Sequence, residues 1–334
     1  MAEAIPIIDV GDFLAGRPRT SGRALAAAAR RVHDALTTTG FFVLTGHDVP
    51  QGLIARTFSE ARRFHQLPLD KKLALKLNEH INGYMVMGRY AVRTSDINDN
   101  DKGDLNEAFF IKRERPPDDP LLLSGRRFVG ANLWPAESDL PGFRANLLDY
   151  VTVMDDFARR FLPVVAVALD LSPDWFDEAF TDSQFTFRLS HYPPVEAEAN
   201  QFGIAPHTDS NFMTFLAQTE VPGLQVRMPP NGPNGGNWLD VPYVPGSFAV
   251  NSGDMVRRWT NGRLSTPHRA LPPIGRDRYA IPFFLGPRFD QVIECLPSCT
   301  GPDNPPRWAP ITYADWQAYW YDANYDPKLQ RDVA

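Results

Sequence analysis

Ile204-Ala205-Pro206-His207-Thr208-Asp209-Ser210-Asn211-Phe212-Met213 is the stretch on which the reading of this chain turns. It holds a His-x-Asp pair among apolar residues, shortly after the strand-like segment 185–192. In an extended segment, side chains two apart project to the same face. His207 and Asp209 then converge on one point while Thr208 turns away. An imidazole nitrogen and a carboxylate oxygen at one strand end make two-thirds of a facial metal site. The third ligand is expected to be another His on a neighbouring strand. His268 fits, in Arg263-Leu264-Ser265-Thr266-Pro267-His268-Arg269.

Two His and one carboxylate on one face of an octahedron leave three positions open. Non-haem Fe(II) oxygenases use that arrangement, whereas structural zinc prefers a closed tetrahedron. The tripeptide alone is a weak signal, since a strand-end His beside a surface Asp gives the same letters. The surrounding chain has to decide.

Working outward, short β segments are expected at 185–191, 212–218, 223–228, 237–241, 247–250 and 277–284, with turn residues between them, including the Gly/Pro/Asn-rich 229–237. This spacing predicts a jelly-roll-like double-stranded barrel. Upstream, residues 5–10 and 40–47 read as strands, and 20–38 and 50–66 as amphipathic helices. Pro68-Leu69-Asp70 opens a third helix, with Asp70 placed to cap it. From Asn82 to Glu107 the pattern degrades, and Thr94 to Gly103 reads as a polar loop of the kind that forms lids. Apolar positions from Phe143 to Phe161 recur every three or four residues, so 140–171 is a long helix packed outside the barrel. Residues 312–321 form a helix laid back over it. The fold class expected is mostly β with flanking helices.

Composition sets the outer bounds. The 334 residues include 31 prolines and 23 glycines, which favour turns and a large β component. The 43% hydrophobic and 22% charged content are ordinary for a soluble globular protein. Net charge is −6 and basic residues fall in scattered pairs, so nucleic acid is not expected as a partner. Two cysteines, Cys295 and Cys299, build no disulfide framework and suit a reducing cytoplasm. No signal peptide is read at residues 1–11, and 161–171 is too short to span a bilayer. A small-molecule substrate is the expected partner; oligomeric state is not legible.

Several stretches together resemble the isopenicillin N synthase-like branch of the 2-oxoglutarate/Fe(II)-dependent dioxygenases. Ile5-Pro6-Ile7-Ile8-Asp9, Gly40 to His47, Asn82-Gly83-Tyr84 and Asp104 to Phe109 look like that family's N-terminal region. Arg188 to Pro194, His207-Thr208-Asp209, Gly253-Asp254-Met255, Trp259 to Gly262, Ser265 to Arg269 and Arg278 to Phe284 follow in the family's order. The resemblance implies a distorted double-stranded β-helix (jelly-roll) core at about 183–288. It implies Fe(II) on His207, Asp209 and His268, 2-oxoglutarate and O2 as cosubstrates, and Arg278 on the distal carboxylate of 2-oxoglutarate. A guanidinium suits that task because its planar fork holds a carboxylate bidentately. Residues 1–125 are then a non-catalytic α/β region, and 126–334 carry the long helix, the catalytic core and the C-terminal helix, all as one unit.

One departure matters. The family's Arg-x-Ser element ends here in Ala280, which cannot donate a hydrogen bond. The Tyr192 phenol is the expected substitute. The departure leaves room for a different 2-oxo acid, or for a same-fold oxidase that takes all its electrons from substrate.

Among the other histidines, alternation turns His191 away from the site. His33 and His65 fall in helices, His47 in a structural turn and His80 in a loop. Arg89 and Arg93 are read as solvated loop charges. Tyr84, Phe109, Met213, Trp259 and Phe284 are pocket candidates that serve equally well as core. Asp254 is read as a backbone cap in a Gly-Asp turn. A non-catalytic ligand-binding relative and a zinc hydrolase stay open as weaker readings.

Overall fold

The computed structural model describes residues 4–15, 22–93, 95, 97–230, 235–264 and 267–324. In chain order it contains β1 (Ile7–Asp9), α1 (Gly11–Ala15), α2 (Arg23–Thr38), β2 (Phe41–Thr45), α3 (Gln51–His65), α4 (Leu69–Leu73), β3 (Gly83–Met85) and β4 (Glu107–Lys112). There follow α5 (Pro120–Leu123), α6 (Phe143–Ala168), β5 (Gln184–Tyr192), β6 (Ile204–His207), β7 (Met213–Gln218), β8 (Leu224–Arg227) and β9 (Trp238–Asp240). The chain continues with β10 (Phe248–Ser252), α7 (Asp254–Trp259), β11 (His268–Ala270), β12 (Arg278–Gly286), β13 (Val292–Ile293), β14 (Ile311–Thr312) and α8 (Tyr313–Asn324).

Two sheets make the core. The larger runs β1-β2-β10-β7-β12-β5-β4-β3, and the smaller β6-β11-β8-β9. Neither closes on itself, so the barrel read from strand spacing is a pair of open sheets flanked by helices. Phe41 and Val43 of β2 pack with Leu224 and Val226 of β8, which joins the sheets.

Alternation decides what each strand presents. On β5, Arg188, Ser190 and Tyr192 face the space between the sheets, as do Arg278, Pro282 and Phe284 on β12 and Thr214 and Leu216 on β7; Ala280 packs there with Tyr192 and Ala270. The intervening Phe187, Leu189, Phe215, Ile281 and Phe283 belong to the main apolar core. There α6 lies against the large sheet, with Phe157 edge-on to Phe215 at 5.5 Å. The face toward α6 is therefore mainly apolar, while the inner face carries the polar groups of the site among apolar ones. Each fully buried Phe or Leu on the apolar face contributes roughly 1.5–3 kcal/mol, which leaves the inner face free to carry groups that cost stability. The β12–β5 ladder has no paired residues at Ile281 and Pro282. Pro282 has no N–H to give.

Two sequence expectations about caps fail. The N-cap of α4 is Pro68 and no side chain caps it, because Asp70 lies inside the first turn. Asp254 opens α7 after Gly253 without a side-chain cap bond, and its Oδ2 instead accepts from Thr208 Oγ1 at 3.2 Å. Among the described residues, no helix is long and apolar enough to cross a membrane.

Candidate metal centre

Antiparallel pairing of β6 with β11 sets His268 directly opposite His207, with a register irregularity just beyond His268. Asp209 follows β6 by two residues. Its Oδ1 lies 3.7 Å from Nε2 of His207 and 3.7 Å from Nε2 of His268. One donor atom from each residue falls within 4.8 Å of the others. The two 3.7 Å gaps are shorter than twice a metal–ligand bond of about 2.1 Å, so an ion can bridge Asp209 and either imidazole, and all three donors face one point. The spacing reading of His207, Asp209 and His268 is thus realised as a convergence in space.

The donors are also prepared chemically. Nδ1 of His207 lies 2.8 Å from the Ala205 carbonyl, which only accepts, so Nδ1 carries the proton and Nε2 the lone pair. Burial, and then the neighbouring His268, push the His207 pKa down to about 3, which keeps the ring neutral. Asp209 Oδ2 accepts from Thr214 Oγ1 at 2.6 Å and Asn251 Nδ2 at 2.7 Å. Burial opposes its charge, but His268, His207 and these two donors outweigh burial and hold its pKa below the ordinary value. Oδ1 is left for the shared point. The backbone N–H of Asp254 donates to the Asp209 carbonyl at 2.7 Å and fixes the turn.

Two cavities meet here, both lined by Arg188, Ile204, His207, Asp209 and Phe284. The inner one runs between the sheets to Arg278, which is 1% exposed. Its Nη2 donates to Gln218 Oε1 at 3.1 Å, while Nε and Nη1 have no hydrogen-bond partner. Its Cζ lies 4.8 Å from the Tyr192 ring centroid, so Tyr192 meets the cation with its face. At Gly223, φ is +155° and a Cβ would fall 3.3 Å from Arg278 Cδ, so a larger residue would crowd the guanidinium. Ser190 lines the same cavity and its buried Oγ has no partner. A buried guanidinium with unused donors suits an anion that enters by this cavity, such as a dicarboxylate that reaches it from the metal point.

The outer cavity is walled by Tyr90, Ala91 and Val92 from the 82–107 segment and by Tyr313, Gln317, Trp320, Tyr321 and Asn324 of α8. Trp316 Nε1 donates to the Ser210 carbonyl at 2.8 Å, which ties α8 to the stretch that carries the ligands. The segment and α8 touch where the Arg93 N–H donates to Asn324 Oδ1 at 2.7 Å. Of the apolar pocket candidates, Phe284 lines the cavities, whereas Tyr84, Phe109, Met213 and Trp259 are packed in the main core.

Family models match the chain in two places. Residues 5–137 fit the non-haem dioxygenase in morphine synthesis N-terminal region, and residues 183–287 fit the 2OG-Fe(II) oxygenase superfamily. The 2-oxoglutarate-Fe(II) type oxidoreductase hxnY of Emericella nidulans is 36% identical, over 96% of this chain and 90% of that protein. The chain belongs to the 2OG-Fe(II) oxygenase superfamily. Kihadalactone A synthase LFS of Citrus sinensis is 33% identical over 86% of each protein. Among solved structures, a full-length Neurospora crassa protein in complex with alpha-KG and thymine superposes with a TM-score of 0.79 at 26% identity, covering 96% of both chains. A putative 2OG-Fe(II) oxygenase family protein from Caulobacter crescentus gives 0.78 at 29%, over 95% of this chain and 98% of that one.

As a 2OG-Fe(II) oxygenase the protein is an oxidoreductase that uses iron and 2-oxoglutarate, with the double-stranded β-helix core of the superfamily. A second cluster, His65, Glu107 and His191, also brings candidate ligand atoms within 4.8 Å of one another. It lies on the other face of β5, where alternation sends His191. Its carboxylate is already engaged: Glu107 Oε2 accepts from Lys72 Nζ at 2.8 Å and from the Tyr84 hydroxyl, and Oε1 lies 2.7 Å from His191 Nδ1. An ammonium on the carboxylate fits a charge network and competes with a cation. Sequence reading missed this network, along with Thr214, Asn251, Gln218 and Ser190. The signal available for the last four was alternation, since each lies on an inward-facing position of β5, β7 or β10.

Proposed function

We propose that His207, Asp209 and His268 hold Fe(II) in this 2OG-Fe(II) oxygenase, and that Arg278, Tyr192 and Ser190 hold 2-oxoglutarate. The convergence of three prepared donors between two cavities, one of them ending on a buried guanidinium with unused donors, carries this reading. When bound, iron with 2-oxoglutarate and O2 supplies the oxidising power that splits the cosubstrate into succinate and CO2 and oxidises a substrate carbon. Around it, Thr214 and Asn251 fix the Asp209 carboxylate. The Ala205 carbonyl fixes the His207 tautomer. Arg278 anchors the far carboxylate, and α8 with the 82–107 segment restricts water at the outer cavity.

The substrate on this reading is a small molecule, hydroxylated, desaturated or cyclised, since the outer cavity is a pocket bounded by residues 90–92 on one side and α8 on the other. Similarity to the Citrus sinensis protein named as a kihadalactone A synthase supports it. The isopenicillin N synthase-like branch is the one that the order of motifs favours. Residues 1–125 serve as the non-catalytic region and 126–334 as the catalytic part of one unit, because β1 and β2 join the same sheet as β5, β7, β10 and β12. A cytoplasmic setting goes with two free thiols. Titrating Fe(II) and then 2-oxoglutarate into the protein under argon tests the assignment. A charge-transfer absorption is expected on addition of 2-oxoglutarate. An unchanged band and unchanged succinate release in Asp209→Ala would refute the ligand set.

A further inference from the structure

We propose that Arg188 recognises the substrate, and that the substrate is a compact monocarboxylate with an apolar body; this rests on the function proposed above. Arg188 borders both cavities beside His207 and Asp209 and is 7% exposed. Its Nη2 donates to Asn106 Oδ1, and its buried Nε has no hydrogen-bond partner. The Asn106 amide cannot turn over freely, because its Nδ2 donates to the Gly203 carbonyl at 2.6 Å. Asn106 is therefore a positioning residue that holds one edge of the guanidinium. The Phe110 ring, 5.2 Å from Cζ, covers a face. Asn106 takes a donor from Nη2 alone, and Arg188 as a residue lines both cavities.

Among the described residues no carboxylate forms an ion pair with Arg188. Asp104 is the carboxylate whose charge it feels, and Asp104 accepts the Ala205 N–H at 3.0 Å while burial pushes its pKa up to about 7. A buried cation without a paired anion is costly, and the cost is recovered when a ligand brings the anion. A planar fork with an unused donor selects a carboxylate. The rest of the outer wall is largely apolar, from Met85, Val92, Ile204, Phe284 and Tyr321, so the remainder of the ligand is apolar and compact. A single cation at the junction admits one carboxylate, placed close enough to the metal point for a neighbouring carbon to be the one oxidised.

The test uses the full chain under argon with Fe(II) and saturating 2-oxoglutarate, so that Arg278 is already engaged. Aryl and alkyl monocarboxylates are titrated, each beside its primary amide, and binding is read by calorimetry and by perturbation of the iron–2-oxoglutarate absorption. At least one carboxylate is expected to bind about tenfold or more tighter than its amide. Arg188→Gln should abolish that preference and Arg188→Lys retain part of it. Asn106→Asp, which pairs the guanidinium internally, should abolish it with Arg188 still in place. Equal binding of acid and amide, binding by no carboxylate, or a preference that survives Arg188→Gln overturns the proposal. Weaker 2-oxoglutarate binding in Arg188→Gln with the acid preference intact would also overturn it, assigning Arg188 to the cosubstrate. Absence of the iron–2-oxoglutarate absorption in the wild type would instead refute the function on which it rests.

Discussion

Ala280 and Ser190 are direct partners across the β12–β5 ladder, so the site that lacks a hydroxyl on one strand faces a hydroxyl on the next. Ser190 is 1% exposed, its Oγ has no partner, and it lines the cavity that ends on Arg278. Burying an unpaired hydroxyl costs on the order of 1–3 kcal/mol, which a bound carboxylate would recover.

Ser190→Ala should therefore weaken 2-oxoglutarate binding by about tenfold, the value of one hydrogen bond to a charged group. Ala280→Ser should tighten it by less, because the carboxylate already has a hydroxyl donor. Anaerobic titration of both variants decides the matter. If Ala280→Ser alone gains the full tenfold and Ser190→Ala loses nothing, the hydroxyl has not moved across the ladder.

Asp209 depends on two neutral donors for its orientation. Thr214→Val removes the 2.6 Å bond to Oδ2 and leaves the shape almost unchanged. The expected outcome is a loss of Fe(II) affinity of about 10- to 100-fold, the usual effect of deleting a ligand's supporting hydrogen bond. Calorimetric titration of Fe(II) under argon measures it, and an affinity equal to wild type would show that Thr214 supports nothing.

Much of this was legible in the sequence, and the boundary is physical. His207 and Asp209 declare themselves because strand periodicity is local: two residues apart means one face. The longer strands of the catalytic part, β5, β7 and β12, were legible for the same reason. Partners across a sheet are not local. That Ser190 faces Ala280, or that Asn251 reaches Asp209, follows from the register between strands far apart in sequence. From 82 to 107 the pattern degrades and β3 is not legible, because three residues are too few to show a period. Asp70 and Asp254 fit the composition of a cap, but a cap needs one backbone conformation at one position, and each lies one or two residues too far along.

Residues 90–92 and α8 wall the outer cavity from two sides, and Asn324 joins them through the Arg93 N–H. Asn324→Ala should raise the KM for substrate several-fold and speed proteolytic cleavage within residues 82–103, while Fe(II) affinity stays at the wild-type value. Limited proteolysis beside a metal titration separates these effects. Equal cleavage rates would mean that the contact does not hold the segment.

The network behind β5 makes stability depend on pH in two opposed ways. His191 lies 2.7 Å from Glu107 Oε1 by Nδ1 and 2.6 Å from Asp277 Oδ1 by Nε2. Burial disfavours its charge, but the two carboxylates outweigh burial and raise its pKa above the ordinary value. Tyr279 stacks on the ring at 4.8 Å, Arg62 lies over the Tyr279 ring, and Lys72 shares Glu107. A His raised on folding stabilises in full below its unfolded pKa of roughly 6.5, and that stabilisation is lost as pH rises through the folded value. His65 acts in the other direction: burial lowers its pKa, so stability falls as pH drops below roughly 6.5. His191→Gln should accordingly flatten the alkaline decline of Tm and leave the acid decline in place. Melting curves from about pH 5 to pH 9 measure both arms. An alkaline slope in His191→Gln equal to that of the wild type would mean that the charge on His191 does not couple to folding.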